Sequence, residues 1–283
     1  MIELEKHKLY ERMDTDKVLS NIFSLYFKNF WILVLSSFVA ALLIQFAFFQ
    51  LGFYNLTQLT DPEELLSTIM SMRKELLIGT LIYFLVYGVL ISFLINYLLI
   101  RDSNSNMPVK TIFTESLKNH TIHIIFFYML SIIMLVVGAS IGLMLFVIGI
   151  VFVSLYLASV LIPCFTIIIA ENKNAFEAIH RSFSLVHKDF WSTVVSVITF
   201  VLIVIVISII LSALMAIPYV VMFFDKIIES GNLLGSLNLA NYDIGIWTVV
   251  LNSIVAALTY PIYAIFSLIL YFKLRYKEEN PVL

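Results

Sequence analysis

The chain is poor in charge, cysteine and the residues that make loops. Asp, Glu, Lys and Arg together supply 13% of its 283 residues, with nine glycines, six prolines and one cysteine. A water-soluble domain carries about 25% charged residues, so this chain cannot clothe a globular surface in water, which excludes a soluble enzyme. The net charge of −2, without any basic stretch, excludes a nucleic-acid binder. Cys164 has no partner for an internal disulfide, which excludes a disulfide scaffold and leaves the redox compartment open. What is abundant is apolar: 61% of residues are hydrophobic. The solvent for most of this chain is lipid.

Charge is also absent in long stretches. No charged residue occurs between Lys28 and Asp61, Glu75 and Arg101, Lys118 and Glu171, Asp189 and Asp225, or Asp243 and Lys273. A helix crossing the hydrocarbon core needs about 20 apolar residues. Four gaps each hold one span, near Trp31–Leu51, Leu76–Ile100, Thr193–Tyr219 and Ile244–Phe272. The long gap from Asn119 to Ala170 fits a hairpin of two, near Ile122–Ile141 and Ile150–Ala170, turning near Gly142–Gly149. The expected fold is therefore all-α and polytopic, a single membrane domain over residues 1–283 with six transmembrane helices. Closed barrels alternate polar and apolar residues, and these runs do not. The first apolar run begins only at Phe30, behind five acidic residues, and exceeds the 7–15 residues of a signal-peptide core, so an uncleaved first span is expected.

Basic residues set the orientation. Five precede the first span (Lys6, Lys8, Arg12, Lys17, Lys28), and three each follow the second (Arg101, Lys110, Lys118), the fourth (Lys173, Arg181, Lys188) and the sixth (Lys273, Arg275, Lys277). Only Arg73, Lys74 and Lys226 fall on the other side. The positive-inside rule places both termini in the cytoplasm and, with it, the protein in a cytoplasmic (inner) membrane.

A unit recurs along the chain. Phe23-Ser24-Leu25-Tyr26-Phe27-Lys28-Asn29-Phe30-Trp31 and Phe183-Ser184-Leu185-Val186-His187-Lys188-Asp189-Phe190-Trp191 agree at six of nine positions. A fainter copy, Ile112-Phe113 with Lys118-Asn119, precedes the third span. Three units, about 14–100, 108–170 and 174–275, are expected, each an amphipathic helix followed by two spans. The helical spacing is clearest in Phe176, Ile179, Phe183 and Val186, opposite Glu177, His180, Arg181 and Ser184. Asn174 with Glu177 resembles a capping box. In the other leaders the apolar stripes are Val18, Leu19, Ile22, Phe23 and Tyr26, and Val109, Ile112 and Phe113 after Pro108. Such helices serve as elbows between hairpins, or lie in the headgroup plane with basic residues toward phosphate. Between the first two spans, Asp61-Pro62-Glu63 starts a further helix reaching about Arg73. The stretch Asp225–Asp243, rich in Asn, Gly and Leu, is expected to cover the mouth of the bundle.

The residues of catalysis are looked for and not found. No Asp, Glu, Lys or Arg falls at mid-depth in any span, where proton relays and ion paths place them. His120 and His123 share a face, but no Cys or acidic pair completes a metal set; no metal and no cofactor are expected. Gly138-Ala139-Ser140-Ile141-Gly142 spells the G-x-S-x-G pattern of serine hydrolases, yet it lies inside a helix, with His123 ~25 Å back at 1.5 Å per residue. The same residues read as G-x-x-x-G, which assigns Gly138 and Gly142 to helix packing. Trp31, Trp191 and Trp247 mark membrane interfaces. Gln45, Asn96 and Asn252 are assigned to interhelical hydrogen bonds, and Pro163, Pro218 and Pro261 are candidate kinks.

Two segments carry a family resemblance: Glu171 followed by Ala178-Ile179-His180-Arg181-Ser182-Phe183-Ser184-Leu185, Lys188 and Phe190-Trp191, and then Pro261, Ala264, Leu270-Tyr271, Leu274-Arg275 and Glu278. The chain resembles a bacterial and archaeal superfamily that includes the membrane domain attached to some glycerophosphodiester phosphodiesterases. Phe183 stands where Trp is commoner, and Lys273 where many members carry Asp. The resemblance implies a membrane-domain architecture without a reaction, since the chain has neither the room nor the metal-binding carboxylates and histidines of the phosphodiesterase barrel.

The functional expectation is a non-enzymatic membrane protein that binds lipid, or a membrane-protein partner or second copy of itself, at its cytoplasmic face. The alternative is a carrier or flippase for a lipid-like molecule, for which a continuous cavity between the fourth, fifth and sixth spans would speak. Lys28, Lys118 and Lys188, at equivalent leader positions, with Arg181 and Arg275, are the candidate headgroup contacts.

Overall fold

The computed structural model describes residues 7–56, 59, 61–102, 107–144, 146–230 and 246–280. All regular structure among them is helical: α1 (Thr15–Lys28), α2 (Phe30–Gln50), α3 (Phe53–Leu56), α4 (Pro62–Ser71), α5 (Arg73–Asp102), α6 (Val109–Asn119), α7 (Thr121–Met144), α8 (Phe146–Ala170), α9 (Ala175–Lys188), α10 (Phe190–Ser230) and α11 (Ile246–Glu279). Six of these, α2, α5, α7, α8, α10 and α11, are long and apolar enough to cross a membrane. The protein is an all-α, multi-pass membrane protein.

The helix boundaries follow local chemistry. Each leader hands over to its span through one residue: Asn29 between α1 and α2, His120 between α6 and α7, Asp189 between α9 and α10. Asn29 Nδ2 turns back to the carbonyl of Leu25, a helix-ending bond. At the start of α9, Asn174 accepts from the Glu177 backbone and Glu177 reaches back to the Asn174 backbone, so the capping box is formed. Asp61 accepts from the backbone of Glu63 and caps α4, but α4 stops at Ser71 and Arg73 begins α5. α10 also runs beyond its expected end near Tyr219, to Ser230, past Pro218. After the proline no strong breaker occurs until Gly231, so the local hydrogen-bond ladder simply continues. Pro163 and Pro261 likewise lie inside unbroken α8 and α11. The remainder of the stretch expected to cover the bundle mouth lies outside the described residues.

α11 forms the axis. From Ala264 to Leu274 every residue is buried, the signature of a helix enclosed on all sides, and α2, α5, α8 and α1 pack around it. Lipid supplies little hydrophobic drive between helices, so polar ties and close packing hold the bundle. Ser267 donates to the carbonyl of Ile162 at 2.7 Å and pairs with Thr166 at 2.9 Å, joining α11 to α8. Asn96 of α5 donates to Ser116 Oγ of α6 at 3.0 Å. Tyr54 bridges Gln45 and Asn252.

At the α7–α8 hairpin, a Cβ on Gly142 would lie 2.8 Å from the Cα of Ile150 and 3.0 Å from its nitrogen. The two backbones touch there, which only glycine permits. A Cβ on Gly138 would meet the flexible end of Leu157 instead. Ser140 between them donates to its own helix, at the Val136 carbonyl.

In α1 the apolar stripe packs inward through Val18, Ile22 and Tyr26, and in α6 through Ile112, but α9 packs mainly on other residues. In α9 the buried set is Ala175, Ala178, Ser182, Leu185 and Val186, while Phe176 is 62% exposed. Phe23 and Phe113 are likewise exposed. Next to a bilayer, apolar need not mean buried: small residues allow close contact with the bundle and the large aromatics turn outward. Positions 22, 112 and 182, and 26, 116 and 186, are buried in all three leaders, at the offsets at which the sequence repeats.

Candidate functional site

The face formed by the ends of the spans next to α1, α6 and α9 gathers most of the described charge. The loop after α8 turns through Asn172, whose φ of 51° is in the left-handed region tolerated by asparagine. This turn sets Glu171 under α9. Arg181, on α9, grips Glu278 of α11 with its two terminal guanidinium nitrogens, at 2.8 and 2.5 Å, and reaches Glu171 with Nε at 3.3 Å. Lys188 also bonds Glu278, at 2.7 Å, and Lys173 bonds Glu171 at 2.9 Å. Tyr271 donates to Glu171, Arg275 donates to Tyr271 and to Glu279, and Tyr10 donates to Glu279. A forked Arg–carboxylate pair fixes geometry as well as energy, so this network locks α9 onto α11.

The charges feel one another. Burial opposes ionisation of Glu171, but hydrogen bonding to Lys173 and the charge of Arg181 prevail and hold its carboxyl below the ordinary 4.5. The bond to Glu278 raises Arg181 above its usual value. His120 is pushed down by burial and by His123; no group of three or more His, Cys, Asp and Glu among the described residues is arranged to hold a metal.

The five candidate headgroup cations therefore divide. Arg181, Lys188 and Arg275 are engaged by carboxylates of the chain itself. Lys118 is exposed at the end of α6, and Lys28, exposed at the end of α1, also takes part in an interaction within the chain.

At the end of α6 away from Lys118 lies a feature not foreseen from the sequence. A groove of about 790 Å³ runs between α2, α5 and α6, lined by Ile32, Leu35, Val39 and Leu43, by Leu85, Val89 and Phe93, and at one end by Val109, Lys110 and Phe113. Along α2 it extends ~16 Å at 1.5 Å per residue, about half of the ~30 Å hydrocarbon core. Lys110 is exposed and makes no ion pair with any described residue. The signal available in sequence was Lys110 flanked by Val109 and Phe113, two apolar residues of one helix face. The groove itself needs α2 and α5, some 50 residues apart, and was not legible locally. The carrier alternative pointed to a cavity between the fourth, fifth and sixth spans; this groove lies at the first two.

A second feature missed was aromatic. Tyr83, Tyr87, Tyr128 and Tyr260 meet inside the bundle, with Tyr87 5.5 Å from Tyr128 and 4.8 Å from Tyr260 by ring centroid. These tyrosines tie α5, α7 and α11 together.

No protein-family model, curated protein or solved structure matches the chain.

Proposed function

We propose that this is a non-enzymatic protein of the cytoplasmic membrane, with both termini in the cytoplasm, that holds an anionic phospholipid at its cytoplasmic face. The reading is carried by one observation, the apolar groove between α2, α5 and α6 with Lys110 at its end. An acyl chain fills the groove while the lysine meets the phosphate; Lys118 adds to the same potential. A basic residue at an anionic surface contributes ~1 kcal/mol, screened within about 8–10 Å at physiological salt. The groove spans one leaflet's depth, which favours holding a lipid over carrying it across. Three repeated units, and kinship with the superfamily that Glu171, Arg181, Arg275 and Glu278 resemble, belong to the same proposal.

Filling the groove tests the function. In Val39→Trp/Val89→Phe the side chains enlarge into it from α2 and α5. Purified gently and weighed intact, the variant is expected to lose most co-purified phosphatidylglycerol, and Lys110→Gln to lose roughly fivefold, as ~1 kcal/mol implies. Retention equal to wild type in both would overturn the assignment.

Orientation has its own test. In a Cys164→Ser background, single cysteines at Glu63 and Glu279 are labelled in intact cells by an impermeant maleimide. Labelling is expected at 63 and protection at 279; the reverse pattern contradicts the orientation.

A further inference from the structure

A small polar pocket of about 100 Å³ lies where the segment before α1, the start of α10 and the end of α11 converge, lined by Arg12 and Asp14, Asp189 and Ser192, and Lys273 and Lys277. Lys273 is unusual: it is only 5% exposed, yet no carboxylate among the described residues pairs with it. Its ammonium donates to Ser196 Oγ at 2.7 Å and to the Ser192 carbonyl at 3.3 Å. An ammonium has three donors, so one is left for the pocket that Lys273 lines. Asp189 and Asp14 lie near enough to act on its charge but do not bond it, so the buried ammonium is only partly compensated. Lys277 bonds Asp189, and around the pocket three cations, Arg12, Lys273 and Lys277, stand against two carboxylates, Asp14 and Asp189. Arg12 is exposed and has no ion-pair partner among the described residues. The pocket has the space of roughly three waters at about 30 Å³ each, enough for one tetrahedral oxyanion.

We infer that this pocket binds a phosphoryl group, with Lys273 as the buried anchor and Arg12 as the clamp at the mouth. It lies apart from the α2–α5–α6 groove and uses none of its residues, so neither assignment depends on the other. The phosphoryl group comes either from a phosphomonoester lipid headgroup, since Trp191 beside Ser192 marks interface depth, or from free phosphate. A guanidinium over a point-charge ammonium suits the non-bridging oxygens of either.

The protein is reconstituted in phosphatidylcholine nanodiscs. Inorganic phosphate is titrated into one series, and phosphatidic acid is included in the bilayer of another. Thermal stability and intact-mass retention of ligand are read in wild type, Lys273→Gln and Arg12→Gln. The expected result is a ligand-dependent stabilisation in one series, lost in Lys273→Gln and weakened about tenfold, ~1.4 kcal/mol, in Arg12→Gln. Response to inorganic phosphate assigns a free anion; response to phosphatidic acid alone assigns a headgroup. Arg12 is exposed, so its variant keeps the fold even where Lys273→Gln does not, and undiminished binding in folded Arg12→Gln overturns the site. Absence of response in both series with wild type overturns it as well. The groove variant Val39→Trp/Val89→Phe should bind here as wild type does.

Discussion

Arg181→Ala is expected to destabilise the folded bundle by about 2 kcal/mol, read as the loss of thermal stability in detergent at neutral pH. Removing one partner of a fully buried ion pair costs roughly 3–5 kcal/mol, because the other charge is stranded. Here the side chains of Glu171, Glu278 and Arg181 keep 13%, 18% and 24% of their exposure, so water takes up part of the loss. Two carboxylates are nonetheless left facing each other with only Lys173 and Lys188 to balance them. Arg181→Lys should recover less than half, since an ammonium cannot bond both oxygens of Glu278 while reaching Glu171. The effect has a sign in pH. The carboxyl of Glu171 is held below 4.5 in the folded protein, so its stabilising contribution is complete above that value and is lost as pH falls through the lowered folded pKa. The wild type therefore loses more on acidification than Arg181→Ala does, and the gap between them should narrow below about pH 4.5. A gap that is constant from pH 7 to pH 3 would mean that Arg181 acts by packing alone.

Gly142→Val is expected to cost about 3 kcal/mol and to splay the α7–α8 hairpin. Even a single methyl at this position would sit 2.8 Å from the Cα of Ile150 and 3.1 Å from the carbonyl carbon of Gly149. Those are backbone atoms of a helix, and they cannot rotate away. Overpacking where side chains can adjust typically costs about 1–3 kcal/mol, and a backbone contact belongs at the top of that range or above it. Gly138→Ala supplies the control. Its Cβ would lie 2.5 Å from Leu157 Cδ1 and 3.1 Å from Val153 Cγ1, which are side-chain termini, so about 1 kcal/mol is expected. Unfolding of both variants in a mixed detergent series, followed by near-ultraviolet circular dichroism, separates them. Equal losses at 138 and 142 would remove the backbone contact as the cause.

The spans were legible because hydrocarbon tolerates no charge and a crossing helix needs a fixed length. The span expected near Trp31–Leu51 in the gap from Lys28 to Asp61 therefore falls within a residue of α2 at each end. The leaders were legible from period and caps, down to the box between Asn174 and Glu177. Which face of α9 packs was not: the stripe of Phe176 and Phe183 is the most apolar, but Ala178 and Ser182 are the residues small enough to lie against the bundle. Helix ends set by distant contacts or by continuation of the ladder, as at Ser230, were also beyond local reading. For the site, Arg181 and Glu278 were both conspicuous in the sequence, but nothing pairs residues 97 apart until α9 is laid across the end of α11. The consequence is large, because a cation that looks available for a headgroup is held by the chain itself. The buried Lys273 and the groove beside Lys110 have the same origin: each depends on three segments that are remote in sequence.

Lipid in the groove is measured most directly by photocrosslinking. Phosphatidylglycerol bearing a photoactivatable group midway along one acyl chain is incorporated into bilayers with the protein, irradiated, and the adducts are mapped by peptide mass spectrometry. The account predicts adducts concentrated on the stretches containing Val39 and Val89, and their loss in Val39→Trp/Val89→Phe. Labelling spread over the exposed flanks of α7 and α10, and unchanged when the groove is filled, would contradict it.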